Sequence, residues 1–269
     1  MATQLDQILA QTRLGVVERR AAVDKASLER RAAGHKPRGL AQNLRKIADL
    51  KMRPAVIAEL KKASPSKGLI RASFEPAELA RGLEKAGAGA LSVLTDEPFF
   101  QGSLKNLEIA SGSTAIPCLR KDFMVDAFQM LEARASCADA ILLIVAALTD
   151  RELKTLSREA YAFGLDVLCE VHDDKELDRA VQIGCQLIGV NSRDLRTFAV
   201  HPEVQMELAE RIPTDVVRVA ESGIRSREDI DRLAGAGYDA FLIGETLMRE
   251  SDPGAALAQL LGREAAVTV

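Results

Sequence analysis

The chain predicts an α/β fold: a (β/α)8 TIM barrel with an N-terminal helical extension. Three observations carry this. Eight short apolar runs recur along the 269 residues, amphipathic helical patterns separate them, and polar residues stand where the runs end. Near-continuous hydrophobic runs mark parallel strands covered on both faces. The runs lie near 55–60, 90–94, 116–120, 139–145, 166–171, 187–191, 216–220 and 240–244. Their starts are roughly 20–35 residues apart, the length of a βα unit with short connections. Periodicity does not show closure, so an open doubly wound sheet is the structural alternative.

The repeating unit reads helix, glycine, short polar step, apolar strand. It is visible in ELARGLEKAGAGALSVLT, LKTLSREAYAFGLDVLCEV, ELDRAVQIGCQLIGVN and EDIDRLAGAGYDAFLIG. Gly87, Gly164, Gly184 and Gly235 or Gly237 fall where a helix C-cap needs a left-handed backbone. Thr149 with Glu152 forms a capping-box pattern, and Ser226 is a suitable N-cap before EDIDRL. About fifty residues precede the first strand. They form a helical extension over 1–50 ahead of a barrel over 51–262, all within a single domain spanning 1–269. The Arg-rich stretch LGVVERRAAVDKASLERRAA reads as a solvated helix face, and HKPRGLAQNL as a linker.

Composition bounds the function. The length suits one eight-stranded barrel with a large core. The hydrophobic fraction is 47%, the charged fraction 28% and the formal net charge -3. With no Trp and few aromatics, neither a nucleic-acid footprint nor a base-stacking platform is expected. There is no secretory h-region and no apolar run of membrane-spanning length, so a cytoplasmic address is expected. Cys118 and Cys169 lie inside apolar runs and read as small core residues; no C-x-x-C pair exists. His35, His172 and His201 show no metal-ligand spacing, so no metal and no cofactor are expected. No nucleic-acid and no membrane partner is expected, and a monomeric chain with no obligate partner is the expectation.

The chemistry is read at the strand ends. A charge there costs stability unless it is paired or used, and in a barrel the strand C-termini form the active face. The first strand ends in Glu59 and Lys61, which the strand period places on one face. An isolated Lys–Glu pair is most often a structural ion pair; further charges around a buried mouth favour function. The following SPSKG offers Ser64, Pro65, Ser66 and Lys67 to an anion, or is an ordinary βα turn. Lys121, followed by Asp122 and Phe123, closes the third strand. Near other cations its pKa would fall, suiting a general acid or an amine nucleophile. Glu170 closes the fifth strand and suits a base; His172 is its rival but reads better as a loop residue before a capped helix. Asn191 and Arg193 share a face, to orient a hydroxyl and clamp a carboxylate. Glu221, Ser222 and Gly223 end the seventh unit; Gly244 and the amide of Glu245 end the eighth. Loops at these two positions often hold phosphate, and the Glu245 side chain is expected to point away from it.

Together the segments IAELKKASPSKG, LSVLTDEPFFQGSLKNL, PCLRKDFMVDAFQMLEARASCADAILLI, LCEVHD, IGVNSRDL, VAESGI and IGETLM closely resemble the indole-3-glycerol-phosphate synthase family of tryptophan biosynthesis. The resemblance covers nearly all of the chain from about residue 50 to 262, and the extension more loosely. It implies ring closure of 1-(2-carboxyphenylamino)-1-deoxyribulose 5-phosphate to indole-3-glycerol phosphate, with loss of carbon dioxide and water. It implies Lys121 as the general acid on the substrate carbonyl, Lys61 at the anthranilate carboxylate, and Glu170 and Glu59 as proton handlers. Asn191, Arg193, Glu221 and Ser222 would orient the substrate. Pro65, Phe100, Phe123 and Leu142 would lie beside its ring, and Ser64, Gly223, Gly244 and the Glu245 backbone at its phosphate. Two positions depart from the family pattern: Ser192 stands where a second Asn is common, and Phe198 where Leu is frequent. The chain holds one barrel, unlike fused bifunctional relatives. A Schiff-base aldolase using Lys121 or Lys61 is the rival enzyme class, and a non-catalytic phosphate-binding barrel the rival outside catalysis.

Overall fold

The computed structural model describes residues 3–50, 54–195 and 197–263. The expected start of the barrel at 51 and the Arg196 position in the sixth loop lie outside them. Eight parallel strands form a closed barrel, β1 (Ala55–Leu60), β2 (Ala90–Leu94), β3 (Cys118–Lys121), β4 (Ala140–Ile144), β5 (Asp166–Val171), β6 (Leu187–Asn191), β7 (Val217–Glu221) and β8 (Ala240–Ile243). Closure comes from β1, which pairs with β8 through Ala55↔Ala240 and with β2 through Ile57↔Ala90. The open sheet is thereby excluded.

The strands read as continuous apolar runs because two different environments alternate along each. Val56, Ala58 and Leu60 of β1 pack outward under the helices, while Ala55 and Ile57 join the barrel interior. Likewise Val167 and Cys169 face out and Leu168 faces in, and Ile188 and Val190 face out from Leu187. Period-2 alternation therefore decides which polar residue at each strand end points into the mouth.

Helices α4 (Pro76–Ala86), α6 (Leu104–Gly112), α7 (Phe128–Ala135), α8 (Asp150–Ala162), α9 (Asp174–Ile183), α10 (Glu203–Ala209), α11 (Arg227–Gly235) and α13 (Pro253–Leu260) follow the successive strands. Two single-turn helices, α5 (Glu97–Phe100) and α12 (Glu245–Met248), open the loops after β2 and β8. The capping pattern behaves as expected: Thr149 and Ser226 each close a capping box. Gly87, Gly164, Gly184 and Gly237 take positive φ, while Gly235 stays helical. A short hairpin, Ala63–Ser64 against Gly68–Leu69, shapes the loop after β1.

The N-terminal extension is three helices, α1 (Gln4–Ala22), α2 (Lys25–Gly34) and α3 (Leu40–Asp49). Leu40 and Leu44 of α3 are fully buried and join the barrel interior. Asn43 Nδ2 donates to Gly89 O at 2.6 Å and Ala41 N to Asp166 Oδ2 at 2.8 Å, so α3 meets the starts of β2 and β5 and closes the bottom. The Arg-rich stretch is exposed, as expected, with the correction that three of its arginines are paired rather than only solvated. Arg19 forks onto Glu132 with 2.7 Å and 3.2 Å hydrogen bonds, Arg20 pairs with Asp126 and lies over the Phe128 ring, and Arg31 pairs with Glu108. Apolar contacts dock these helices as well: Ile8 of α1, with Leu5 and Leu9, joins the barrel interior, and Leu28 and Ala32 of α2 pack on Leu131 and Ala135.

A second correction concerns the cysteines. Cys118 is a buried free thiol, as expected, but Cys169 is joined to Cys185 by a disulfide. Cys169 faces outward from β5, and Cys185 follows α9 on its way into β6. The fold brings their Cα atoms to 6.4 Å, which no local motif announces.

Candidate active site

The strand ends enclose a cavity of about 660 Å³ at the top of the barrel. Its wall includes Glu59, Lys61, Ser64, Pro65, Phe100, Lys121, Phe123 and Leu142. It continues through Glu170, Asn191, Arg193, Glu221, Ser222, Gly223, Gly244 and Glu245. The structure thus brings the residues proposed from the sequence for catalysis and substrate binding into one cavity, with the rival His172 outside its lining. Lys67, Phe198, Arg225, Thr246 and Arg249 complete the rim.

Two lysine–carboxylate pairs dominate. Lys61 Nζ lies 2.5 Å from Glu59 Oε1, with the side chains 18% and 5% exposed. Lys121 Nζ donates to Glu170 Oε2 at 3.0 Å, with exposures of 15% and 1%. Lys121 does not stand among cations, which corrects the expected fall of its pKa. Burial by itself would push the ammonium down, but the Glu170, Glu221 and Glu59 carboxylates outweigh burial and hold it above the ordinary lysine value. Glu170 is coupled in the opposite sense: burial would raise its carboxyl, and Lys121 and His172 hold it below the usual carboxylate range. Burial and the neighbouring Glu170 charge raise Glu221 well above that range. The mouth therefore sets two carboxyl groups whose pKa values are pushed in opposite directions beside an ammonium held in its charged form.

The side of the cavity at the ends of β7 and β8 combines left-handed backbone with charged side chains. Ser222 and Gly223 both take left-handed conformations, with φ 66° and 74°. Ser222 is the residue that meets the steric cost, of order 1–2 kcal/mol for a non-glycine side chain. Glu245 is tied to Arg249 at 2.9 Å and lies 3.5 Å from Arg193. These two guanidiniums, after a contrary effect of burial, lower its carboxyl pKa along with Lys67. Arg193 also donates to Phe198 O at 3.2 Å, and its backbone N–H donates to Asn191 Oδ1 at 3.0 Å. On the apolar side, Phe100 and Phe123 stand with ring centroids 6.2 Å apart.

Three features escaped the sequence reading. A Cβ on Gly189 would lie 2.0 Å from Glu221 Oε1, and one on Gly244 would lie 2.3 Å from Glu59 Oε1. Both glycines are sockets for carboxylates, so Gly244 serves Glu59 as well as any phosphate. A glycine inside the apolar run LIGVN was the available signal. Beneath Lys121, Asp122 turns to a fully buried Arg120 at 2.8 Å and accepts from Thr95 at 2.6 Å. Finally, His172 is no idle loop residue: it stands 3.4 Å from Glu170.

Comparison with known proteins agrees with this geometry. The family model described as indole-3-glycerol phosphate synthase matches residues 5–260. A protein named indole-3-glycerol phosphate synthase from Koribacter versatilis (strain Ellin345) is 58% identical over 97% of this chain and 100% of its own length. Proteins of the same name from Dechloromonas aromatica (strain RCB) and Rhodospirillum rubrum are 50% and 48% identical, each over 97% of this chain and 99% and 100% of their own lengths. Among solved structures, a mandelate oxidase mutant superposes with a TM-score of 0.60 at 18% identity, covering 78% of this chain and 70% of that one. A thiamine phosphate pyrophosphorylase from Pyrococcus furiosus gives 0.58 at 16% identity, covering 78% and 94%. At such identities these two share the fold alone.

Proposed function

The chain belongs to the indole-3-glycerol phosphate synthase family, and from that premise we propose how its strand-end residues divide the reaction. The enzyme is a carboxy-lyase of tryptophan biosynthesis acting on a small phosphorylated substrate. It closes 1-(2-carboxyphenylamino)-1-deoxyribulose 5-phosphate to indole-3-glycerol phosphate, releasing carbon dioxide and water.

In our reading the phosphate sits on Ser64, Gly223, Gly244 and the Glu245 backbone, with the aryl ring beside Pro65, Phe100, Phe123 and Leu142. Lys61 faces the anthranilate carboxylate. Lys121 gives a proton to the carbonyl oxygen as the aryl carbon bearing the carboxylate attacks the carbonyl carbon. Positive charge then develops toward the ring nitrogen, where Glu170 and Glu59 stabilise it. Carbon dioxide leaves with its bonding electrons returned to the ring. The new hydroxyl departs as water on a proton from Lys61, while Glu170 takes the proton from the adjacent methylene. Asn191, Arg193, Glu221 and Ser222 hold the substrate in register. The observation that supports this most is the Lys121–Glu170 pair at 3.0 Å: a persistent acid and an ionised carboxylate share one cavity.

The same pair weakens the Schiff-base alternative, because an ammonium held above its usual pKa is a poor nucleophile. Indole formation from the authentic substrate, followed by absorbance or fluorescence, tests the reading. Borohydride added during turnover should leave no covalent adduct; an adduct on Lys121 or Lys61 would overturn it. Arg193→Ala should raise KM, and an unchanged KM and kcat would remove Arg193 from the site. We further propose a single-domain monomer, since the eight strands of one chain suffice to close the barrel around the cavity. A cytoplasmic address is part of the same proposal, because a phosphorylated substrate does not cross a membrane unaided.

A further inference from the structure

Glu170 presents its two oxygens to two different cations. Oε2 accepts from Lys121. Oε1 has no hydrogen-bond partner and faces Nε2 of His172 at 3.4 Å, an atom that likewise has none. The contact is an ion pair poised just outside hydrogen-bonding distance. His172 is held from behind. Its Nδ1 lies 3.0 Å from Glu176 Oε2, and the same oxygen accepts the His172 backbone N–H at 2.8 Å. Glu176 is itself fixed in the first turn of α9, where its N–H donates to Asp173 at 2.9 Å. The His172 side chain is 14% exposed and does not line the cavity.

We propose that His172, clamped by Glu176, is a positioning residue for the reaction: its imidazolium keeps Glu170 ionised and draws one carboxylate oxygen away from Lys121. Two of the three ammonium hydrogens of Lys121 are then left for the substrate. The inference deepens the reading of Glu170 as a proton handler and rests on it. Burial alone would push the imidazole down, but Glu170 and Glu176 outweigh burial and raise it to about 10. The ring therefore stays charged at neutral pH. The other charged groups sharing this space are Lys121 of β3, Glu221 of β7 and Glu59 of β1. Lys121 and the Glu59-paired Lys61 are the lysines set against these carboxylates, and His172 adds a further positive charge on the far side of Glu170.

An opposite charge within about 4–6 Å lowers a carboxyl pKa by about 1–3. In His172→Gln the acidic limb of the kcat profile should accordingly move up by about one pH unit or more. KM should change little, since the phosphate and aryl contacts are untouched. A second readout needs no turnover. By NMR the His172 ring should titrate far above 6.5 in the wild type, and fall in both Glu170→Gln and Glu176→Gln. An unmoved acidic limb in folded His172→Gln overturns the proposal. Should that variant fail to fold, a His172 titration indifferent to Glu170→Gln overturns it instead. Failure of the underlying reading looks different: Glu170→Gln would keep normal turnover whatever the ring titration does.

Discussion

Both ends of the barrel bury carboxylates, and they treat them in opposite ways. At the bottom, fully buried Asp139 accepts from the backbone N–H groups of Arg38 and Cys118 and from the Arg38 guanidinium, and faces His35 at 3.2 Å. Burial would raise its carboxyl, but these partners outweigh burial and lower it. At the top, Glu170 and Glu221 each keep one buried oxygen with no partner. An unsatisfied buried carboxylate oxygen costs on the order of 1–3 kcal/mol or more. The bottom has a complete set of donors and no vacancy for chemistry. The top leaves its hydrogen-bond sets incomplete, as the proposed site requires of groups that must respond to a substrate. A charged strand end is thus read as functional or structural by whether its hydrogen bonds are finished.

The sharpest way to break this contrast is at Lys121. Lys121→Met keeps a similar length and an apolar stem, so the protein should fold and bind substrate. Turnover should drop by at least ~10²-fold, the lower end of what general acid catalysis supplies. Thermal unfolding and single-turnover rates on one preparation decide it: lost stability with near-normal turnover would make Lys121 a structural partner like Asp139. The converse change is Asp139→Ala, which strands Arg38 and should cost about 3–5 kcal/mol in denaturant unfolding. The folded fraction should keep wild-type kcat. Because the folded carboxyl pKa is lowered, this contribution is present above the unfolded value of about 3.9 and lost as pH falls below it. A wild-type-minus-variant difference that persists undiminished at pH 2 would refute the assignment.

Smaller effects sharpen the comparison. Gly244→Ala places a methyl group against Glu59 Oε1. Overpacking of this kind costs typically 1–3 kcal/mol, so kcat/KM should fall by about tenfold, equivalent to 1.4 kcal/mol. An unchanged kcat/KM would show that the socket is not needed. The smallest effect concerns pH and His172. Its folded pKa is raised, so its stabilising contribution is complete below about 6.5 and disappears as pH rises through about 10. The stability difference between wild type and His172→Gln should therefore shrink between those values. A difference that grows with pH would reverse the sign and sink the ion pair.

Much of this architecture was legible because strand ends are local. A run such as VIAELK declares its strand, its face and its terminal charge in six consecutive residues, and the expected runs lie over the barrel strands. The polar residues chosen by that rule all line the cavity. What was not legible depends on partners delivered by other strands. Lys121 was expected among cations and meets three carboxylates. Cys169 was expected alone and meets Cys185. His172 looked like a loop residue until β5 and α9 placed it between two glutamates. The ion pairs of the exposed Arg-rich helices were not legible because their acidic partners, Glu108, Asp126 and Glu132, lie 77 to 113 residues away.

The glycine sockets carry a warning for protein engineers. Replacing glycine by alanine is a standard route to thermostability, worth ≈ 0.4–1 kcal/mol where the backbone already suits alanine. Neither Gly189 nor Gly244 is among the positive-φ glycines, so a screen on the sign of φ alone would pass both. Yet each methyl would land on the carboxylate of Glu221 or Glu59. A stabilisation campaign guided by the sign of φ alone would admit two substitutions that crowd carboxylates of the proposed site. In this barrel a missing side chain belongs to the catalytic inventory as much as a present one.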